Sequence, residues 1–498
     1  MRRAWLCIAL LLLPAGCAVG PDYRRPEIDT PVAWRVDPRE AADVINTAWW
    51  KQFRDPELNA LIEIALRENK DLRIATARVE EFAARLGIAR SDFFPQFGYD
   101  VSGSRDQASG DTAVAPLPGT DRITETYAST INVGWELDIW GRIRRATEAA
   151  RADLLASEEG RRTVILTLVS SVATSYVLLR SLDRQLEISH ETLDTRAESL
   201  RLFELKFRGG VISELELAQV RTEYEQAAVA IPALERQIAV LENSLSVLLG
   251  RMPGAIARGR GINELILPAV PAGVPSELLA RRPDIRQSEQ QLISANARIG
   301  VARAQYFPTI SLTGLFGYAS EELSDLFSSS AETWSAGGIV LGPIFTGGRI
   351  SGGVRAAEAV QRQALHDYLR TIQTAFREVD DALVQTQKYQ EQLVVQGRQV
   401  DALRDSTRLA RLRFDNGYTS YIEVLDAERS RFEAELNYVS TQNNVYGSLV
   451  NIYKAMGGGW VVEAERFADA ADYPGEDADG KPAPRGDAST RPVENATR

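Results

Sequence analysis

The chain contains most of itself twice. DLRIATARVEEFAARLGIARSDFFPQF (71–97) aligns with DIRQSEQQLISANARIGVARAQYFPTI (284–310) at an offset of 213 residues. Within it, Leu86-Gly87-Ile88-Ala89-Arg90 meets Ile299-Gly300-Val301-Ala302-Arg303, and Phe94-Pro95 meets Phe307-Pro308. Farther along, ELDIWGRI (136–143) meets PIFTGGRI (343–350) at an offset of 207, and FRGGVISELELAQVR (207–221) meets FDNGYTSYIEVLDAER (414–429) at that same offset. Each half runs in one order: helix, Phe-Pro break, irregular stretch, Gly-Arg motif, long helix, glycine turn, second helix. A duplication of this extent makes two copies of one structural unit the first constraint on the fold.

The long segments carry a helical signature. From about Ile143 to Phe207 there is no proline and only one glycine, Gly160, among good helix formers. The second half repeats this from about Val354 to Phe414. At 1.5 Å per residue each segment makes a helix about 90 Å long. Glu214–Leu249 and Ile422–Met456 place apolar residues at three- and four-residue spacing, as in Leu215, Ala218, Val220, Tyr224 and Ala227. Long amphipathic helices need partner helices, so antiparallel pairs joined at the glycine turns are expected.

The irregular stretches keep a period of two. Phe97, Tyr99 and Val101 alternate with Gln96, Gly98, Asp100 and Ser102; Tyr127, Ile131, Val133, Trp135, Leu137 and Ile139 alternate with polar neighbours. Ile310, Leu312, Phe316 and Tyr318 occupy the matching positions of the second half, and the alternation blurs around Trp334, Ala336, Gly338 and Val340. Period two over about ten residues marks strands with one apolar and one polar face. Loops are expected at 104–122 and 319–330. Two readings stay open: a small sheet packed on the helices, and a membrane barrel that is apolar outside. Four strands cannot close around a lumen, and lipid does not tolerate an open edge. The second reading therefore requires an obligate homo-oligomer.

The ends limit location and chemistry. MRRAWLCIALLLLPAGC begins with Arg2 and Arg3, continues through an apolar run and closes on small residues before Cys17, the pattern of an export signal. Cys7 lies within that signal, so Cys17 is the only cysteine of the mature chain and no intrachain disulfide is possible. Cleavage between Gly16 and Cys17 followed by lipidation is the sharper expectation, an incidental cysteine the plainer one. Pro14 stands where lipoprotein signals usually carry leucine. No later segment is expected to be apolar enough for a membrane helix. A net charge of −11 argues against a nucleic-acid partner. His190 and His366 each stand alone in helical stretches, and no glycine-rich phosphate loop is present. Neither an enzyme nor a resident cofactor or metal is expected.

CAVGPDYRRP (17–26), WWKQFRDPELNALIEIAL (49–66), RRPDIRQSEQQL (281–292) and GWELDIWGRIRR (134–145) together resemble the TolC-like outer-membrane factors, specifically their lipoprotein (NodT-like) branch that serves RND-type efflux pumps. The resemblance runs from Cys17 to about Val462. It implies a mostly α fold with a small membrane β-barrel part: duplicated long-helix hairpins forming a periplasmic tunnel, and four strands per chain contributing to a twelve-stranded barrel shared by a homotrimer. It also implies a periplasmic adaptor and an inner-membrane RND-type transporter as partners, outer-membrane lipid around the barrel, and passive exit of small molecules. The expected division is 1–16 signal peptide, 17–56 lipidated extended segment, 57–265 first repeat, 266–462 second repeat and 463–498 disordered tail. A duct for secreted polypeptide and a periplasmic coiled-coil scaffold without a pore are the alternatives.

By the same resemblance, Glu423 and Asp426 belong to a periplasmic gate, where carboxylate rings would favour cations; Ile422 beside them is a candidate apolar constriction, with core packing as the alternative, and Glu216, which aligns with Glu423, is grouped with them. Ser213-x-x-Glu216 and Ser420-x-x-Glu423 also read as capping boxes, which need no pore. Thr419 stands where some relatives carry a basic residue, so no salt-bridge lock is carried over. Gly210, Ser213, Gly417 and Ser420 form the turns; positive φ at the glycines is sufficient reason for them, and the resemblance makes the same tips the adaptor contacts. Tyr99, Tyr127, Trp135, Trp140 and Trp334 are candidate membrane-interface aromatics, with strand-on-helix packing as the plainer role.

Overall fold

The computed structural model describes residues 18–28, 31, 34, 48–109, 122–268, 278–457, 461–462 and 464–465. The expected signal peptide, Cys17, part of the 104–122 loop and nearly all of the expected tail lie outside the described residues. After a 3-10 turn at Trp49–Phe53 come α1 (Pro56–Glu68), α2 (Lys70–Ser91), β1 (Gln96–Gln107), β2 (Ile123–Glu136), α3 (Arg142–Arg208) and α4 (Glu214–Leu248). The second half gives the one-turn α5 (Leu278–Arg281), α6 (Pro283–Ala304), β3 (Thr309–Ser320), β4 (Glu332–Leu341), α7 (Arg349–Asp415) and α8 (Tyr421–Ala455). The duplication survives to the residue: α3 and α7 have 67 residues each, and α4 and α8 have 35 each. At 1.5 Å per residue the long pair measure about 100 Å. α7 starts earlier than expected, because Gly352 already donates to the Gly348 carbonyl at 2.8 Å and its ladder absorbs the Ser-Gly-Gly stretch.

The chain divides into two compact units, and each takes segments from both sequence repeats. The first comprises Met1–Ile28, Ala77–Glu159 and Arg286–Thr371; the second comprises Asp29–Thr76, Gly160–Ile285 and Ile372–Arg498.

The first unit holds one antiparallel sheet in the order β1-β2-β3-β4. Its register sets Tyr99 opposite Ile131, Ile131 opposite Phe316, and Phe316 opposite Trp334. Directly opposed residues share a face, so the four apolar sets merge into one surface. The other face carries Asp100, Thr130 and Gly317, paired in the same order. Alternation in β2 was expected to run through Ile139, but the strand stops at Glu136. Asp138 leaves the sheet to cap α3, its carboxylate oxygens accepting from Ile143 N and Arg144 N, both at 2.9 Å.

Residues 18–28 are strapped onto this unit. Val19 N donates to Trp140 O (3.0 Å), Asn296 Nδ2 to Pro21 O (2.9 Å), and buried Arg145 to Asp22 (2.7 Å). A Cβ on Gly20 would lie 2.5 Å from Gly300 Cα, so the backbones meet where no side chain fits. Tyr23 and Arg25 both reach Glu289, at 3.1 and 3.0 Å.

The second unit is a helical bundle around Trp49, Trp50, Phe53, Leu58 and Ile62, packed with Ile165, Val169, Val172 and Tyr176 of α3 and with Tyr446, Val450 and Tyr453 of α8. Trp49 stacks on Tyr453, centroids 5.1 Å apart at 14°. Against the expectation that no segment past the signal would qualify, α3 is long and apolar enough to cross a membrane. Its apolar stretch is 56% buried within the fold, and residues 165–179 supply much of this core. The apolarity answers to helix packing.

Candidate gate at the helical hairpin tips

Both α3–α4 and α7–α8 turn on one backbone design. Gly210 N donates to Phe207 O and Val211 N to Lys206 O, each at 2.9 Å; Gly417 N donates to Phe414 O and Tyr418 N to Arg413 O, also at 2.9 Å. These bonds satisfy the last helical carbonyls and require positive φ, which is 69° at Gly210 and 76° at Gly417. Ser213 and Ser420 follow as N-caps in extended conformation.

The caps then differ. Ser213 closes the expected box: its hydroxyl accepts from Glu216 N, and the Glu216 carboxylate accepts from Ser213 N at 2.8 Å and from the Ser213 hydroxyl at 2.9 Å. The Ser213 backbone and hydroxyl donors hold the Glu216 carboxyl below the usual carboxylate range. At the second tip the expected box does not form, for Ser420 makes no side-chain cap. Glu423 instead takes Arg413 at 3.1 Å. The cation next to the turn thus comes from the end of α7, not from the position of Thr419. Lys206, at the matching place in the first half, is the sequence signal for it.

Glu423 and Asp426 are both exposed on one side of α8, with Ile422 beside them, while Val424 and Leu425 are buried. Asp426 pairs with Arg429 at 2.8 Å. Each acid therefore has a cation of its own chain, and Gln219 replaces the Asp426 equivalent in the first half.

Beneath the tips lies a core that sequence reading missed. Tyr421 packs on Phe203 (4.2 Å) and Phe414 (4.8 Å), with Lys206 Nζ over both phenylalanine rings at 5.3 and 5.1 Å. Val220, Ala410, Val424 and Leu425 complete it. One helical turn deeper, buried Arg196 of α3 lies 3.2 Å from Glu223 of α4, and Arg411 of α7 lies 3.6 Å from Glu428 of α8. Burial pushes the Glu428 carboxyl up, against the guanidinium groups of Arg411 and Arg196. Aromatic packing, one buried ion pair and one half-exposed pair thus stitch all four helices together behind the exposed acids.

In the sheet, Tyr99 is 85% and Trp334 72% exposed. Trp135 Nε1 donates to Phe93 O at 2.9 Å, Tyr127 reaches Glu125 at 3.3 Å, and Trp140 stacks on Phe307 at 4.6 Å. All but Trp140 lie on strands of the apolar face.

The family model described as "Outer membrane efflux protein" matches residues 61–251 and 274–458. The chain belongs to the outer membrane efflux protein family. A solvent efflux pump outer membrane protein, SrpC of Pseudomonas putida, is 38% identical over 471 residues, 93% of this chain and 99% of that protein. The cation efflux system protein CusC of Escherichia coli O6:H1 is 37% identical, covering 91% and 98%. Among solved structures, the outer-membrane channel OprN superposes with a TM-score of 0.80 at 32% identity, covering 89% of this chain and all of that one. As a member of this outer-membrane efflux family, the chain is an exit duct in the outer membrane of a Gram-negative bacterium, and its sheet is the membrane part. The expectation of a soluble sheet is set aside by that membership and by the apolar face left bare.

Proposed function

We propose that the chain is a lipid-anchored subunit of a homotrimeric duct that carries small molecules, received from a periplasmic adaptor and an RND-type inner-membrane transporter, to the exterior. The observation that carries this reading is the four-stranded sheet, which presents a continuous apolar face and, over β1 and β2, polar and small residues opposite it, with β1 and β4 as its edges. An edge exposed in lipid leaves backbone groups unsatisfied, so closure with further copies is required. The names of the relatives, for solvent and for cation efflux, favour small cargo over polypeptide. Membrane fractionation followed by planar-bilayer recording tests it: a membrane-bound trimer should conduct once its tips are loosened. A soluble chain, or one that stays silent when loosened, would sink it.

In this reading Ile422, Glu423 and Asp426 face the lumen at the periplasmic mouth, with Glu216 closing the cap of the companion hairpin. The tips at Gly210, Ser213, Gly417 and Ser420 meet the adaptor. Converting Glu423 and Asp426 to alanine should shift the reversal potential of the open duct toward non-selectivity and weaken block by multivalent cations. Unchanged selectivity would assign both acids to the outer surface.

The anchor is Cys17, as in the lipoprotein branch. Its support is the strap, which holds Ala18 and Val19 against the Trp140–Gly141 turn at the foot of the sheet. Cys17→Ser should abolish incorporation of radiolabelled fatty acid, and persisting label would refute the assignment.

A further inference from the structure

We propose that the β3–β4 loop, residues 321–331, is seated on the lipid of the outer leaflet, with Phe327 as the side chain that enters it. This rests on the sheet being the membrane part of the duct, and adds a loop to the surface that meets lipid.

The loop lies at the end of the sheet remote from the helices, since α6 leads into β3 and α7 follows β4 at the other end. It is braced from within. Ser320 Oγ donates to Glu322 O (2.8 Å) and accepts from Glu322 N (3.1 Å), and 3-10 turns follow at Leu323–Asp325 and Ser329–Ala331. Ser328 N donates to Asp325 O at 2.9 Å and Ala331 N to Ser328 O at 3.1 Å. Leu326 and Ala331 are buried, yet Phe327 is 74% exposed.

The register directs that ring. Phe316 and Tyr318, two residues apart, lie on one face of β3, the apolar face they share with Ile131 and Trp334. Their rings meet edge to face at 6.4 Å, and Phe327 meets Tyr318 in the same way at 5.7 Å. Three rings thus run without a break from the membrane face of the sheet onto the loop. A lone exposed apolar side chain needs no explanation, but one continuous with a membrane face extends that face.

The first hairpin gives the contrast. The two repeat offsets match Arg105 with Tyr318 and Glu125 with Glu332. In the first hairpin the apolar face gives way at that row to an ion pair, Arg105 Nε lying 3.2 Å from Glu125. In the second an aromatic ring stands there, and Phe327 packs on it. From Ile310 to Tyr318 the strand rises about 26 Å, which at a barrel tilt of about 40° is about 20 Å along the membrane normal. The apolar band of such barrels is about 25 Å tall, so Phe327 falls at its upper edge. Glu321, Glu322, Asp325 and Glu332 are exposed carboxylates of the same stretch. An anionic surface would repel them, so apolar contact has to hold the seat. Held there, the loop lies over the bilayer and leaves the lumen clear.

Spin-label accessibility of the full-length chain in phosphatidylcholine vesicles tests the seat. Phe327→Cys carries the nitroxide; because Phe327 is exposed, its replacement leaves the packed core untouched. Ile131→Cys, on the apolar face of the inner strand β2, and Thr130→Cys, on the opposite face, are the references. The native chain taken through the same labelling corrects for its own cysteines. The ratio of collisions with dissolved oxygen to collisions with a water-soluble nickel chelate should be several-fold higher at 327 than at 130, and close to that at 131. A ratio at 327 as low as that at 130, with 131 high, overturns the seat and leaves the duct reading intact. Few collisions with either reagent at 327 would mean that a second copy of the chain covers the ring, which also overturns the seat. A low ratio at 131 overturns the membrane position of the sheet, and the seat with it.

Discussion

Asp55→Ala should destabilise the helical bundle of the second unit by about 3–5 kcal/mol, read as a lowered melting temperature of the detergent-solubilised protein. Asp55 is fully buried. Its carboxylate caps α1 by accepting from Glu57 N (2.9 Å) and Leu58 N (3.3 Å), and it also accepts from the Tyr176 hydroxyl (2.8 Å) and Arg260 N (3.0 Å). Loss of a cap alone costs about 1 kcal/mol, and each buried donor left without a partner about 1–3 kcal/mol. Water entering the vacated space recovers part of that sum. The site has no slack for a substitute, since Gly259 approaches so closely that a Cβ there would overlap the carboxylate. Burial and the neighbouring carboxylate raise the pKa of the Tyr176 hydroxyl far above its ordinary value, so it stays a donor across the working pH range. Tyr176→Phe removes one donor together with its acceptor role and should cost about 1–2 kcal/mol. Equal losses in the two variants would show that Asp55 is not the hub.

The second large effect is expected at the tips, where, in the duct reading, an exposed ion pair and a buried aromatic core both hold the four helices together. The Arg413–Glu423 pair is exposed, its side chains 57% and 45% accessible. Such pairs contribute roughly 0–1 kcal/mol. Tyr421 is buried against Phe203 and Phe414, and truncating an aromatic side chain of this kind costs about 3–5 kcal/mol. Tyr421→Ala should therefore raise the open probability of single channels far more than Arg413→Ala. It should do so with little change in ion selectivity, because Tyr421 faces the helices and the acids remain. A larger opening by Arg413→Ala would mean that surface charge, not the aromatic core, holds the tips.

Much of the fold was legible because the information was periodic and repeated. The extents of α3, α4 and α8 and the end of α7 follow from runs of helix formers between glycine turns, with Pro232 carried inside α4, and the strand faces follow from alternation in β1 and β3. Departures came where a local rule met a tertiary competitor. β2 ends early where Asp138 leaves the strand and caps α3 through Ile143 N and Arg144 N. Ser420 and Glu423 carry the same letters as Ser213 and Glu216, yet Arg413 draws the second carboxylate away from its cap. The apolar run in α3 has membrane composition and a bundle address.

At the candidate gate, the acids and glycines were visible in the sequence, since chemistry and turn geometry are local properties. The aromatic core of Phe203, Phe414 and Tyr421 was not, because its members lie up to 218 residues apart and no single helix shows them as a set. The pairing of Arg196 with Glu223 and of Arg411 with Glu428 was hidden for the same reason.

Short-range pattern and self-similarity alone establish two copies of one unit, their long hairpins, the sidedness of β1, β2 and β3 and the chemistry of the tips. Only the tertiary structure decided that β2 joins β3 to make one sheet of two halves, and that the compact units draw on both repeats. It also decided that identical capping sequences act differently. Those outcomes depend on which distant side chains arrive together, and burial and ion pairing are settled only on arrival.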